Sequence, residues 1–251
     1  MTKLMSKSMT KLMKVFKKFS VVRRRTDLNS NQHQQISIRD GDQTPIILGD
    51  VALKNLIENY SFRTVLDVGS GRGNQADVFE RAGKIVTRFD NGKSKAYIPR
   101  SNTIVADFLS YRFEKTYDLV WACHVLEHQH NPNAFLTKVI ESCKPDGTIA
   151  VTVPPAKPEL VGGHLTLWTP GLLLYHLVLA GIDCKEAEVI SYGYNISVIV
   201  GNTKANYSRE ILKYDYDDIS RLKPFFPVYL EAGCRGDLAG NVIKDSTNFW
   251  K

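Results

Sequence analysis

Between residues 64 and 200 short apolar runs alternate with amphipathic segments, and this alternation constrains the fold more than any single motif in the chain. A run such as Tyr117–Cys123 (YDLVWAC) has no helical period and reads as a strand buried on both faces, while the segments between such runs carry helical periodicity. Strand, helix and strand repeated in this way mark βαβ units around a mainly parallel sheet. Strands are expected at Thr64–Val68, Lys84–Asp90, Thr103–Ala106, Tyr117–Cys123, Thr148–Val153, Ala187–Ser191 and Ile196–Val200. Helices are expected near Asp50–Asn59, Asn74–Ala82, Pro132–Ser142 and Thr169–Ala180. Asn131 before Pro132, and Thr169 before Pro170, each pair an N-cap residue with proline at the first helical position. "KPDG" (144–147) and "AGID" (180–183) read as glycine-containing exits into the next strands, and "YGYN" (192–195) as a tight turn joining the last two.

A chain of 251 residues, 43% hydrophobic, suits one large α/β domain with short appendages. Its net charge of +7 belongs to one end. Lys3, Lys7, Lys11, Lys14, Lys17, Lys18, Arg23, Arg24 and Arg25 precede the first acid, Asp27; without those nine, 24 basic residues face 26 acidic ones, a net −2. In the same arm "MTKLM" occurs twice. On a helical wheel Met5, Met9, Leu12, Met13, Phe16 and Phe19 oppose Lys3, Lys7, Lys11, Lys14 and Lys18. Peripheral contact with an anionic membrane, a transit peptide and a disordered leader all fit this pattern. Residues 1–44 are therefore expected as arm and linker, 45–203 as the main domain, and 204–251 as an extension covering the sheet edge or the site. Cys123, Cys143, Cys184 and Cys234 form no C-x-x-C pair, and no apolar run of about 18 residues exists, so a cytoplasmic chain with reduced thiols is expected, with or without membrane-surface contact.

The stretch "CHVLEHQH" (123–130) contains H-x-x-E-H, a zinc-protease pattern that needs both histidines on one face of a long helix. The buried strand just before it and the helix start "HNPN" just after it make it a strand-exit loop with at most one helical turn. The carboxyl edge is where ligands bind in open α/β sheets. At the exit of the first strand stands "VLDVGSGRGNQ", whose Gly69, Gly71 and Gly73 permit a tight turn and a close backbone approach to a ligand. Asp67, two positions before the first glycine, is poorly suited to a pyrophosphate and well suited to a ligand carrying an ammonium and a sulfonium.

Taken with "VTRFD", "VADF", "YDLVWACHVLEH", "CKPDGTIAVTVP" and "GGHLTLWTPGLLLYHLVLAGI" in this order, the chain resembles the class I S-adenosylmethionine-dependent methyltransferases, small-molecule (type 11-like) subgroup, over about residues 45 to 202. The resemblance implies a Rossmann-like, doubly wound α/β fold whose seven-stranded sheet has the order 3-2-1-4-5-7-6, strand 7 antiparallel. It implies S-adenosylmethionine as cofactor, with Asp67, Gly69, Ser70 and Gly71 around its methionine part, Asp90 on the ribose hydroxyls, Asp107 and Phe108 at the adenine, and Cys123 at the strand tip beside the methyl group.

Transfer to a hydroxyl requires alignment, exclusion of water and removal of a proton. His124 and His128 are the candidate bases, beside Glu127. Ubiquinone-pathway and small-RNA methyltransferases carry a related E-x-x-E-H segment that holds magnesium. Here His124, Glu127, His128 and a later His164 are the corresponding candidates, but imidazole in place of the first carboxylate disfavours magnesium, and no metal is expected by default. The near-neutral body argues against nucleic acid as a partner. A sugar of a surface glycan is the leading acceptor, suggested by a weak likeness of "VISYGYNISVIV" to glycan-pathway methyltransferases. The alternatives are metal-assisted methylation of a quinol or an RNA 2′-hydroxyl, and a non-catalytic cofactor-binding module.

Overall fold

The computed structural model describes residues 48–227 and 242–244. The basic arm and linker, and most of the chain after Pro227, lie outside the described residues. The strands are β1 (Thr64–Val68), β2 (Ile85–Asp90), β3 (Thr103–Val105), β4 (Tyr117–Cys123), β5 (Cys143–Val153), β6 (Glu188–Tyr192) and β7 (Asn195–Gly201). They form one sheet in the expected order 3-2-1-4-5-7-6, with β7 antiparallel to both neighbours. A short eighth strand, β8 (Val242–Lys244), pairs parallel with β6.

The helices α1 (Asp50–Asn59), α2 (Asn74–Arg81), α3 (Pro132–Ser142) and α4 (Pro170–Ala180) cover both faces. Alternation along the central strands sorts them. Val65, Leu119 and Trp121 pack with Leu53, Leu56 and Phe79 of α1 and α2. Leu66, Val68, Val120 and Ala122 pack with Phe135 and Leu136 of α3 and Leu173 and Leu177 of α4. Strands covered on both sides read as continuous apolar runs, which is why β1 and β4 were legible. The two caps also form: Asn131 Oδ1 accepts from Ala134 N–H at 3.0 Å and Thr169 Oγ1 from Leu172 N–H at 3.2 Å, each contributing about 1 kcal/mol.

"KPDG" is a correction. It is no exit loop, because β5 already begins at Cys143, which pairs with Tyr117 before the register shifts. The left-handed residue is Asp146 (φ 59), and Gly147 is needed for space, since a Cβ there would stand 2.7 Å from Cys143 Sγ and 2.9 Å from the Lys144 carbonyl oxygen. The described part of the C-terminal segment packs near α4: Tyr207 Oη donates to the Val178 carbonyl oxygen at 2.8 Å, and Cys184 N–H to that of Phe225 at 2.9 Å. Among the described residues the three cysteines are free and buried, and no helix is long and apolar enough to cross a membrane.

Candidate active site

The first half of the site is the exit of β1. Gly69 and Ser70 donate their N–H groups to the Phe89 carbonyl oxygen at 2.7 and 3.0 Å, and Gly73 (φ 82) caps α2. Gly69 has a second constraint: a Cβ there would lie 2.3 Å from Val125 Cγ2, so this loop and the exit of β4 touch. At Gly71 (φ 52) a Cβ would make an ordinary contact, 3.7 Å from the Ala96 carbonyl oxygen, so it is the left-handed backbone that favours glycine there.

Asp67 shares the α1/α2 side of the sheet with Val65, two residues earlier. It is 2% exposed, and its Oδ2 has no hydrogen-bond partner. Burial pushes its carboxyl up to about 7; Asp90 and Asp77 add to the rise and Arg88 opposes it. A buried carboxylate with an unused oxygen is a site for a cation. Asp90 Oδ2 accepts from Gly71 N–H at 2.9 Å and Oδ1 from Gly92 N–H at 2.8 Å, so each oxygen keeps a lone pair for a hydroxyl donor. These residues fit S-adenosylmethionine, whose ammonium and ribose hydroxyls need such groups.

Asp107 is exposed and accepts from Ser110 N–H at 3.0 Å. Phe108 is buried, its ring packed on those of Phe89, Phe113 and Phe135 at 5.5, 6.0 and 5.2 Å. The ring expected at the adenine is thus already engaged by three others. Cys123 is buried with its Sγ against Gly49, and burial holds its thiol well above the usual range, which disfavours the thiolate. Arg88, 2% exposed and paired with Glu80 and Asp77 at 2.6 and 2.7 Å, was not foreseen; a lone arginine in an apolar strand is its only sequence signal.

The second half is the exit of β4. His124 adopts φ 54, and its N–H donates to the Thr152 carbonyl oxygen at 2.9 Å. Leu126–His128 then form a single 3₁₀ turn, which places Glu127 at 0% exposure. The Glu127 Oε1 lies 3.3 Å from His124 Nδ1 and 3.7 Å from His128 Nε2, and neither carboxylate oxygen has a well-formed hydrogen bond. The main-chain oxygen of Glu127 accepts from Leu165 and Thr166 N–H at 2.8 and 3.3 Å, drawing the loop with His164 onto the turn. His164 meets His128 edge to face, ring centres 5.1 Å apart, and burial lowers its pKa.

The two candidate bases differ in their freedom. His124 Nε2 faces Asn195 Oδ1 at 3.0 Å, an oxygen that also accepts from Gly49 N–H at 3.1 Å, while Nδ1 stands beside the Glu127 carboxylate. His128 Nδ1 lies 2.7 Å from the Gly163 carbonyl oxygen. A carbonyl only accepts, so that nitrogen donates, and in the neutral imidazole Nε2, 3.7 Å from Glu127 Oε1, keeps its lone pair. Of the four metal candidates, Glu127, His128 and His164 place one ligand atom each within 4.8 Å of one another, and His124 stands outside that group. Asn195 was missed at the sequence level, because β7 delivers it from 71 residues away.

A glycine loop, a buried acid beneath it and a second acid across it, all at the carboxyl edge of a sheet of this order, define a class I methyltransferase. The chain belongs to the methyltransferase domain family, which matches residues 43–180, and this part is an S-adenosylmethionine-dependent methyltransferase domain. It is 27% identical over 105 residues to the mitochondrial ubiquinone biosynthesis O-methyltransferase of Schizosaccharomyces pombe, covering 37% of this chain and 38% of that enzyme. Similar solved structures include the 1,6-didemethyltoxoflavin-N1-methyltransferase of Burkholderia thailandensis (18% identity, 56% of this chain and 71% of that one, TM-score 0.48). A methyltransferase from Aquifex aeolicus is similar too (16% identity, 60% and 89% covered, TM-score 0.48).

Proposed function

We propose that the protein methylates a hydroxyl of a small-molecule acceptor, with His128 Nε2 taking the hydroxyl proton. The observation that carries this reading is the 2.7 Å contact of His128 Nδ1 with the Gly163 carbonyl oxygen, which fixes the tautomer that leaves Nε2 open. The cofactor supplies a methyl group already activated on a sulfonium. Asp67 would attract the ammonium, Asp90 would hold the ribose and Asp107 would contact the adenine end, which would fix the donor relative to the β4 exit. His124 is held between Glu127 and Asn195 and orients the loop. His128, its side chain 44% exposed, is the group that an acceptor reaches.

The relative from Schizosaccharomyces pombe is an O-methyltransferase, which supports an oxygen acceptor. A sugar, the acceptor favoured from the sequence, has in its support the Tyr194 ring beside the cluster, 5.9 Å from that of His124. The arm, with its apolar and lysine faces, would bring the protein to an anionic membrane surface. Co-sedimentation with anionic vesicles, lost on removal of residues 1–25, tests that part. For the enzyme, the test is incubation with methyl-labelled S-adenosylmethionine and separated acceptor classes. Label in no acceptor, with cofactor still bound, would leave a non-catalytic module.

A second reading is favoured by the grouping of Glu127, His128 and His164 within 4.8 Å. One carboxylate and two imidazoles suit a borderline ion such as zinc better than magnesium, and the Gly163 contact would orient His128 as a ligand. Base and metal would use the same nitrogen. Activity that vanishes with chelator and returns with zinc or cobalt selects the metal; indifference to chelator selects the base.

A further inference from the structure

Beside the histidine cluster lies a cleft whose lining includes Pro154, Lys157, His164, Thr166, Trp168 and Tyr194. Its polar character is one-sided. The Lys157 ammonium lies over the Tyr194 ring, 4.4 Å from its centre, and among the described residues it has no carboxylate partner. Trp168 is 1% exposed, and its indole N–H is without a hydrogen-bond partner. The Thr166 hydroxyl is likewise shielded and unpartnered. Indole and ammonium are donors only, and a hydroxyl can donate.

The acids nearby do not answer these donors. Glu127 is faced by His124 and His128, and Glu159, in the exposed stretch that follows Lys157, acts on the Tyr194 hydroxyl but makes no ion pair with Lys157. Buried donors without acceptors, beside a cation that makes no ion pair among the described residues, are what a bound anion satisfies. The Tyr194 face meanwhile keeps the ammonium in place.

We propose that this cleft recognises its acceptor by an anionic oxygen group, a carboxylate or a phosphate, bound by Lys157 together with the Trp168 and Thr166 donors, so that the hydroxyl to be methylated is presented to His128. The proposal rests on the methyltransferase reading and narrows its substrate class to hydroxylated organic acids or phosphates.

Calorimetry on the full chain, with and without S-adenosylhomocysteine, tests it with two matched pairs: protocatechuate against protocatechuyl alcohol, and glucose phosphate against glucose. In at least one pair the anion should bind about tenfold or more tightly than its neutral partner. Lys157→Met should reduce that preference below about threefold while Lys157→Arg keeps it. Which pair responds tells carboxylate from phosphate. No preference in either pair, or a preference that survives Lys157→Met, overturns the proposal. Binding of S-adenosylhomocysteine is read in the same titrations. If it fails to bind, the methyltransferase reading falls, while the anion preference is still scored on the protein alone.

Discussion

Replacing Asp67 with Asn should make the protein more stable and worse at holding its cofactor. Burial, reinforced by Asp90 and Asp77, sets the Asp67 carboxyl at about 7 against an ordinary 3.8. Because the folded value lies above the unfolded one, the native state keeps a proton that the unfolded chain releases. Stability is therefore lost as pH rises from about 4, and the whole loss is present above about 7. The gap corresponds to on the order of 2 kcal/mol near pH 5 and on the order of 4 kcal/mol near pH 7.5. Asparagine carries no such charge, so its advantage should grow with pH, reaching about 10 °C in Tm near pH 7.5. The assay is thermal unfolding of both proteins, without cofactor, near pH 5, 6 and 7.5. In parallel, cofactor binding to the wild type should strengthen with pH up to about 7 and release a proton, and Asp67→Asn should weaken it by about 1.5–3 kcal/mol. An Asn variant no more stable than wild type near pH 7.5, or an advantage that does not widen with pH, would refute the reasoning.

Asp90→Ala should weaken cofactor binding by about 1.5–3 kcal/mol through loss of a charge-assisted contact, and unchanged affinity by calorimetry would sink that assignment. His128→Gln should cut turnover by about 10²–10⁴ with cofactor affinity near normal; full activity in a folded variant would leave His128 a structural role only. Gly69→Ala should destabilise by about 1–3 kcal/mol, because its Cβ would meet Val125 at 2.3 Å. Val125→Ala in the same chain should recover part of that loss, while the left-handed backbone keeps the rest. Arg88→Met should raise the Asp67 carboxyl further, since Arg88 is the group that lowers it, and so move the rise in cofactor affinity to higher pH.

The parts of the fold that were legible are those decided locally. Val65, Leu66 and Val68 are buried on opposite faces and left one apolar run, and Asn131-Pro132 and Thr169-Pro170 carry their helix starts in two residues each. "KPDG" misled because proline and glycine speak of a break, whereas pairing of Cys143 with Tyr117 and the fit of Gly147 against Cys143 make it a bulged beginning of β5. In the site, the histidines and acids stand in the sequence, but their division of labour does not. Asn195 engages His124, and Gly163 orients His128, only once a hairpin and a loop come together. The commitment of the Phe108 ring to the aromatic core is likewise a tertiary fact.

The loop bearing His164 is fastened to the β4 exit by the main-chain oxygen of Glu127, not by its side chain. Every amino acid has that oxygen. Residue 127 can therefore change its side chain while the loop bearing His164 stays moored. A lineage carrying this arrangement can trade the carboxylate for an inert residue in one mutational step and still inherit an intact loop on which selection can act.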